Sequence, residues 1–314
     1  MALLEDKEKE IARYKRIVEE STCDVCNVNG VNPCQNNGTC VALPPDGTTQ
    51  KFTCECPNNY AGDLCQTLVE CKNDTCGTGA TCTVFNHTTV CACPFGSTGD
   101  PTQACVYKTS TACISSDGLY TTFDGLTFSY AGTCKYYVTR SCNCDDFYVT
   151  STNIIPENNK NISIPNQFTI YIYNQDLYIN PSLILFYNNV PVNFPFYWPS
   201  AYNPLIKAEM VSGQVTIKII SLNVIVTFSK NQLCVALPHT EQFYGKDTMC
   251  GAFGNIDGDC TNDVVFENGT MIEAPADCSS PPQATVSAWV DSWIVPGENP
   301  TCIKGSMINS NMLS

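Results

Sequence analysis

The pattern of apolar and polar residues predicts a strand-rich region from about residue 108 onward. Runs rich in isoleucine, valine, tyrosine and phenylalanine alternate there with turn residues. The clearest runs are QFTIYIYNQDLYI, SLILFYN and GQVTIKIISLNVIVTFS. Within the last run, VTIKIISLNVIVTF is apolar over only 14 residues and contains lysine and asparagine, so we interpret it as a core hairpin and not as a membrane segment. The pattern therefore predicts a β-sandwich.

The two preceding regions have different patterns. Residues 23–107 consist of short segments punctuated by cysteine, glycine, asparagine and proline. Residues 1–22 are charged, with Leu4, Ile11 and Val18 seven residues apart, and they predict a short helix. Both a solvated helix and a coiled-coil seam fit this spacing. No run of about 18 apolar residues occurs, so we expect neither a membrane span nor the tail of a lipid anchor.

Charge and cysteine content narrow the functional class. The net charge of -14 argues against nucleic acid and anionic membranes as partners. Of the 22 cysteines, 13 lie between Cys23 and Cys105, and the spacing of zinc sites is absent. We therefore expect a secreted, disulfide-bonded protein of two to four domains. Five N-glycosylation sequons agree with secretion: Asn37, Asn73, Asn86, Asn161 and Asn268. The N-terminus lacks a signal peptide, so we expect that the secretion signal is missing from this chain.

The cysteine-rich region divides into two units of six cysteines. The first contains NPCQNNGTC and FTCECPNNYAGDLC, and the second contains TCGTGATC and CACPFGSTGDPTQAC. Both resemble the epidermal growth factor (EGF)-like module, because each has a C-x-C pair and a glycine turn before the last cysteine. The resemblance implies six disulfides: Cys26–Cys40, Cys34–Cys54, Cys56–Cys65, Cys71–Cys82, Cys76–Cys91 and Cys93–Cys105. Modules of about 35 residues are too small for apolar burial alone to stabilise them.

The same resemblance makes it possible to ask whether the modules bind calcium and whether they carry O-fucose. Some EGF-like modules bind calcium through acidic residues before the first cysteine and an Asp or Asn after the third. Glu70 is the only acidic residue just before Cys71, so we expect neither module to bind calcium tightly. Both modules match the family spacing for O-fucose, at Thr39 and Thr81. An unmodified turn threonine is the alternative at each position.

Three further motifs lie between residue 113 and about residue 302. CISSDGLYTTFDGLTFSYAGTC stands at the start, and MCGAFGNIDGDCTND and SAWVDSWIV stand near the end. In this order they resemble a von Willebrand factor type D domain, whose start carries TFDG and whose last glycine-rich motif precedes a tryptophan strand. The predicted fold class is mainly β: two small disulfide-rich EGF-like modules followed by a β-sandwich type D domain, with a short N-terminal helix.

The loop CGAFGNIDGDCTND suggests a metal site. It is not an EF-hand, because with Asn255 at position 1, Cys260 takes the glycine position and Phe266 the glutamate position. The family resemblance implies instead a calcium site built from both ends of the domain. The implied ligands are Asp124, Asn255, Asp257, Asn262 and Asp263, with a backbone carbonyl near Asp259. Calcium prefers such hard oxygen ligands. An asparagine-glycine turn without an ion is the alternative.

The type D region departs from the family at two places. Phe253 replaces the second cysteine of the CGxCGN motif, so Cys113 lacks its usual partner, and we guess that it pairs with Cys234. The self-cleaving GDPH start is also absent, so we expect no autoproteolysis.

The remaining cysteines are assigned in part. The resemblance implies Cys134–Cys302 and Cys142–Cys250, and it leaves Cys144, Cys260 and Cys278 without a template. Nine cysteines remain in this region, and an odd number cannot pair completely. Either Cys23 pairs with one of them, or Cys23 and one cysteine of this region both keep a free thiol. An intermolecular disulfide is a further alternative.

These observations predict a domain order and a function. The predicted order is a charged helix at 1–22, EGF-like modules at 23–66 and 67–107, a type D domain at 108–303 and a tail at 304–314. We favour an extracellular calcium-binding structural or adhesive glycoprotein of a matrix, mucus or adhesive assembly. Its expected partners are other extracellular proteins or further copies of itself, without nucleic acid or membrane insertion. The alternatives are a receptor ligand acting through the EGF-like modules and a fragment of a lipid-transport protein. Two histidines provide no catalytic triad, so we expect no enzyme activity.

Overall fold

The computed structural model describes residues 25–27, 31–46, 49–143, 146–157, 159–297 and 301–307, with the backbone alone at 44–46 and 49–50. The predicted helix over residues 1–22 lies outside these ranges, as do Cys23 and Cys144. The chain forms two compact units. One contains the chain up to Pro94 together with Gly99–Val106, and the other contains Phe95–Thr98 and the chain from Tyr107 onward.

Short antiparallel hairpins make up the cysteine-rich region. Its strands are β1 (Thr39–Asp46), β2 (Thr49–Glu55), β3 (Tyr60–Ala61), β4 (Thr67–Leu68), β5 (Thr81–Phe85), β6 (Thr88–Ala92), β7 (Ser97–Asp100) and β8 (Ala104–Tyr107). They pair in sequence order, two by two. All six disulfides that the EGF-like resemblance implies are present. Among the described residues before 107, Cys34 and Cys65 are the only buried hydrophobic side chains, so disulfides take the place of an apolar core.

The second unit is a sandwich of two antiparallel sheets. The first eight of its strands are β9 (Thr109–Ile114), β10 (Leu119–Thr121), β11 (Thr127–Ser129), β12 (Lys135–Ser141), β13 (Phe147–Ile154), β14 (Ile164–Ile172), β15 (Gln175–Ile179) and β16 (Leu185–Tyr187). The others are β17 (Val190–Val192), β18 (Phe196–Trp198), β19 (Ile206–Val211), β20 (Gln214–Ile219), β21 (Val224–Ser229), β22 (Gln232–Pro238) and β23 (Met249–Cys250). One sheet has the order β11-β10-β9-β22-β21-β20-β19-β18, and the other has the order β17-β16-β15-β14-β13-β12-β23.

Alternating side chains from both sheets form one hydrophobic core. In β14, Phe168, Ile170 and Ile172 are buried, while the residues between them are half-buried. Phe168 contacts Phe228 of the opposite sheet, with ring centroids 5.0 Å apart. The predicted core hairpin is confirmed, because β20 and β21 pair directly and each buries every second residue.

The prediction of a strand at SAWVDSWIV is wrong for most of its length. An α-helix, α1, spans Gln283–Ser292. Its buried residues Val286, Trp289 and Val290 recur at helical spacing, so one face packs on the core. The indole N–H groups of Trp289 and Trp293 both donate to the carbonyl of Val265, at 2.9 and 3.0 Å. Among the described residues, no helix combines the length and apolar character that a membrane span requires.

Four disulfides between described cysteines stabilise the second unit. Cys134–Cys302 and Cys142–Cys250 are present, as the family resemblance implies. Cys113 bonds to Cys234, its direct neighbour across β9 and β22, as guessed from the loss of its usual partner. The fourth, Cys260–Cys278, was not predicted from the sequence.

Candidate metal site

Two distant segments of the chain meet in the second unit. Residues Thr122–Asp124 follow β10, and the glycine-rich loop that ends at Asp263 follows β23. The Asp257 amide donates to Asp124 Oδ2 at 3.0 Å across a sequence separation of 133. The Thr122 hydroxyl donates to Asp263 Oδ2 at 2.6 Å. The structure thus joins TTFDG to the aspartate-rich loop that the sequence singles out.

A buried aromatic pair positions the two segments. Phe123 and Phe253 have ring centroids 5.9 Å apart in an edge-to-face arrangement, and the Phe123 amide donates to the Phe253 carbonyl at 3.1 Å. Phe253 is fully buried. The residue that replaces the family cysteine therefore packs in the core, where an aromatic contact holds the loop.

Close backbone approach explains one glycine of the loop. Gly254 has a φ of +70°, and a Cβ at this position would lie 2.1 Å from Asp263 Oδ1. Any larger residue would displace the Asp263 carboxylate. Glycine is therefore required here by both the backbone conformation and the space beside the carboxylate.

Asp263 is the most buried carboxylate of the site, with only 1% of its surface exposed. Its Oδ1 accepts from the Asn255 amide at 3.0 Å, and its Oδ2 accepts from Thr122. Burial raises the pKa of Asp263 to about 8; the Thr122 hydrogen bond opposes this shift, and the charges of Asp124 and Asp257 add to it. Burial also raises the pKa of Asp124. These carboxylates repel one another, and a bound cation would remove that cost.

Two asparagines link the carboxylates. Asn255 Nδ2 donates to Asn262 Oδ1, and Asn262 Nδ2 donates to Asp257 Oδ2 at 2.9 Å. Asn255 is 2% exposed, and its Oδ1 accepts no hydrogen bond from any described residue. Buried polar atoms normally have a partner, so this oxygen calls for a donor or a cation.

Asp259 differs from the other implied ligands because its side chain is exposed. Its Oδ1 accepts from the amide and hydroxyl of Thr261, at 3.0 and 2.6 Å, and these hydrogen bonds lower the pKa of Asp259. The side chain therefore caps the short turn Cys260–Asn262. The resemblance implies a backbone carbonyl near Asp259 as the ligand, and these side-chain bonds are compatible with that role.

The donor set consists of oxygen atoms. Within the described ranges, no three histidine, cysteine, aspartate or glutamate side chains form a cluster arranged to hold a metal ion. Asparagine amide oxygens complete the candidate set, and such mixed oxygen ligands suit calcium better than zinc. A cavity of about 560 Å³ borders the site, and its lining includes Asn255, Asp263, Met249 and Met271.

Sequence reasoning did not identify two residues that position the site. Thr122 lies inside the quoted TTFDG motif, but a threonine alone does not reveal a buried bond to a residue 141 positions away. Tyr244 donates its hydroxyl to the Asp257 carbonyl at 2.9 Å. No sequence pattern that we recognised marks this tyrosine.

The candidate glycosylation sites are all on the surface. The asparagines of the five sequons are exposed, as are Thr39 and Thr81. The Asn268 side chain accepts a hydrogen bond from the Thr270 amide at 3.0 Å, within an exposed turn. The folded chain therefore leaves room for a glycan at each position.

Comparison with protein families now identifies the larger domain. The model for the von Willebrand factor type D domain matches residues 112–270, about half of the chain. The chain belongs to this family. The EGF-like domain model matches residues 26–64. The candidate metal site therefore lies within the type D domain.

Curated relatives share shorter stretches with the chain. Protein eyes shut homolog from Homo sapiens is 45% identical over 67 residues, which is 21% of this chain and 2% of that protein. Protein HEG homolog 1 from Homo sapiens is 39% identical over 71 residues, 22% of this chain and 5% of that protein. EGF-like repeat and discoidin I-like domain-containing protein 3 from Mus musculus is 33% identical over 96 residues, 24% of this chain and 19% of that protein. The chain thus spans a small part of the length of these relatives.

The domain content indicates a broad class. EGF-like and type D domains, together with these relatives, are typical of non-enzymatic extracellular proteins that act by protein–protein interaction. Nothing in the comparisons indicates catalysis.

Proposed function

We propose that this chain belongs to a secreted structural or adhesive glycoprotein whose type D domain is stabilised by calcium and binds other extracellular proteins. The observation that carries the calcium assignment is the unpaired Oδ1 of Asn255, a buried residue whose backbone amide donates to the Asp263 carboxylate. A buried oxygen without a partner and a buried carboxylate in the same loop are both costly without a cation.

The ligands would come from both segments of the site. Asp124, Asn255, Asp257, Asn262 and Asp263 would contribute side-chain oxygens, and a carbonyl near Asp259 would complete the set. Calcium supplies positive charge to six to eight oxygens and would offset the repulsion between the aspartates. Because Asp124 lies 133 residues before Asp257 in the chain, the ion would also cross-link the first strands to the last loop.

The expected gain in stability follows from mass action. At a calcium concentration one hundred times the Kd, binding to the folded state alone contributes about 2.7 kcal/mol. For a domain of this size, that corresponds to a rise in Tm of roughly 5–10 °C.

The test is a thermal melt of the full chain, secreted with a signal peptide and freed of divalent ions with a chelator. We expect calcium to raise Tm in the wild type and in Asp176→Ala, which removes an exposed carboxylate elsewhere in the domain. The double variant Asp124→Ala with Asp257→Ala should show no calcium-dependent shift. A wild type that melts at the same temperature with and without calcium would remove the calcium assignment.

The adhesive part of the proposal has its own test. Sizing of the secreted chain under reducing and non-reducing conditions, with and without calcium, should reveal association with itself or with an added extracellular matrix extract. A monomer that binds nothing in the extract under any of these conditions would contradict the assembly role.

Removal of N-glycans with an amidase should also increase electrophoretic mobility if the exposed sequons are used.

A further inference from the structure

The two EGF-like modules contact each other at the hairpin turn between β5 and β6. Asn86 and His87 form this two-residue turn, and both have positive φ values, 46° and 63°. Two-residue hairpin loops with two positive φ values are type I′ turns, in which asparagine is favoured. The hairpin belongs to the second module. Its backbone faces the Asn58 side chain of the first module, and the His87 ring faces the Tyr60 carbonyl.

Asn58 binds this turn with both ends of its amide. Its Nδ2 donates to the Val84 carbonyl at 2.8 Å, and its Oδ1 accepts from the Asn86 amide at 2.7 Å. One side chain therefore pairs with a backbone acceptor and a backbone donor, as a neighbouring strand would. The two bonds also define the orientation of the Asn58 amide. If it were reversed, its NH₂ group would face the Asn86 N–H and its oxygen would face the Val84 carbonyl.

His87 makes a third bond between the modules. Its Nδ1 lies 2.8 Å from the carbonyl oxygen of Tyr60. A carbonyl only accepts, so Nδ1 must carry the proton in this contact. The ring is half-buried, whereas the two Asn58 bonds are exposed to solvent. Three hydrogen bonds thus converge on one turn.

We propose that this clasp, in which Asn58 and Tyr60 bind Val84, Asn86 and His87, holds the two EGF-like modules in one fixed orientation without a metal ion. The interacting groups are amides, carbonyls and an imidazole, and none is a carboxylate. A chelator has nothing to remove from such a contact, and salt screens it weakly because it contains no ion pair. The two modules therefore form one rigid spacer.

Hydrogen bonds can determine the orientation of these modules because neither module has an apolar core that could extend across the junction between them. Each is held internally by three disulfides. Residues 67–69 stay attached to the first module without the clasp, because β4 pairs with β3 and the Val69 amide donates to the Asn59 carbonyl at 2.9 Å. Loss of the clasp should therefore free the modules at the short segment between Val69 and Cys71, while each module remains folded. A single exposed hydrogen bond is weak, but three bonds to one turn should slow exchange of the Asn86 amide on the order of 10- to 100-fold.

The test uses the full secreted chain and two measurements. Hydrogen exchange by nuclear magnetic resonance reports the Asn86 amide, and residual dipolar couplings report whether both modules share one alignment. In the wild type, we expect a protected Asn86 amide and one shared alignment, unchanged by a calcium chelator. Asn58→Ala should lose most of the protection and require two alignments. Asn59→Ala, the neighbouring exposed asparagine, should behave as the wild type.

A further variant separates the two halves of the clasp. Asn58→Asp keeps the acceptor for the Asn86 amide but loses the donor to Val84, so we expect intermediate protection. Disulfide mapping of each variant checks that both modules have folded. The proposal is overturned if the wild-type modules align independently, if a chelator abolishes their shared alignment, or if Asn58→Ala leaves exchange and alignment unchanged.

Discussion

Thr122 offers the sharpest test of how the metal site is held together. The residue is 1% exposed, and its hydroxyl donates to Asp263 Oδ2 at 2.6 Å. The same hydroxyl oxygen accepts from the Leu126 amide at 2.9 Å. Valine has nearly the same shape as threonine but lacks the hydroxyl. Thr122→Val therefore removes two hydrogen bonds without creating a large cavity.

The magnitude follows from what the substitution leaves behind. A carboxylate oxygen and an amide N–H both lose their buried partner, and each unsatisfied group costs on the order of 1–3 kcal/mol. We expect the free energy of unfolding to fall by about 2–6 kcal/mol in total. For a domain of this size, the corresponding decrease in Tm is roughly 4–24 °C.

Calorimetry of the full chain in chelator measures the effect without any contribution from calcium. Thr122→Ser retains the hydroxyl, so it should lose much less stability than Thr122→Val. Thr121→Val, at the half-buried position beside it, serves as the second control. Its Tm should be close to that of the wild type. If Thr122→Val has the same Tm as the wild type, or if Thr122→Ser and Thr122→Val lower Tm equally, the hydroxyl hydrogen bonds do not hold the site together.

Two further substitutions test the packing and the C-terminal attachment of the type D domain. Phe253→Ala, which truncates a fully buried ring, should cost about 3–5 kcal/mol in urea unfolding, whereas Tyr202→Ala at a fully exposed position should change stability by less than about 0.5 kcal/mol. Equal effects would contradict the core role of Phe253. Asp291→Ala removes the nearer of two acceptors of the Gly305 amide, at 2.9 Å, and leaves the Tyr130 hydroxyl at 3.2 Å, so exchange of that amide should accelerate by up to about 10-fold. Unchanged exchange would show that the Asp291 carboxylate does not hold this segment, and that the Thr133–Ile303 hydrogen bonds and the Cys134–Cys302 disulfide suffice.

The parts of the fold that sequence reasoning predicted depend on regular local patterns. Alternating residues in β14 and β20 mark strands because every second side chain enters the core. The EGF-like disulfides follow from cysteine order, because the resemblance supplies a pairing template. The contact between TTFDG and the later loop also came from resemblance, since no local pattern links residues 133 positions apart.

The parts that were missed depend on contacts without a local signature. The segment around Trp289 is short and apolar, so a strand and a buried helix fit it equally well until packing decides. Cys260 and Cys278 pair without a family template. Asn58 is an exposed polar residue in a loop, and its importance depends on a turn 28 residues later. Such tertiary hydrogen bonds become visible only when the chain is folded.

The position of β9 has a consequence for biosynthesis. This strand is made first in the type D domain, but it lies between β10 and β22, and Cys113 must bond to a cysteine 121 residues later. At a synthesis rate of about 5–20 residues per second, β9 waits roughly 6–24 seconds for its partner to be made. During that interval Cys113 is a thiol among other thiols, with Cys134 and Cys142 the next to be made. The yield of correctly folded protein should therefore depend on how slowly the secretory compartment oxidises the nascent chain.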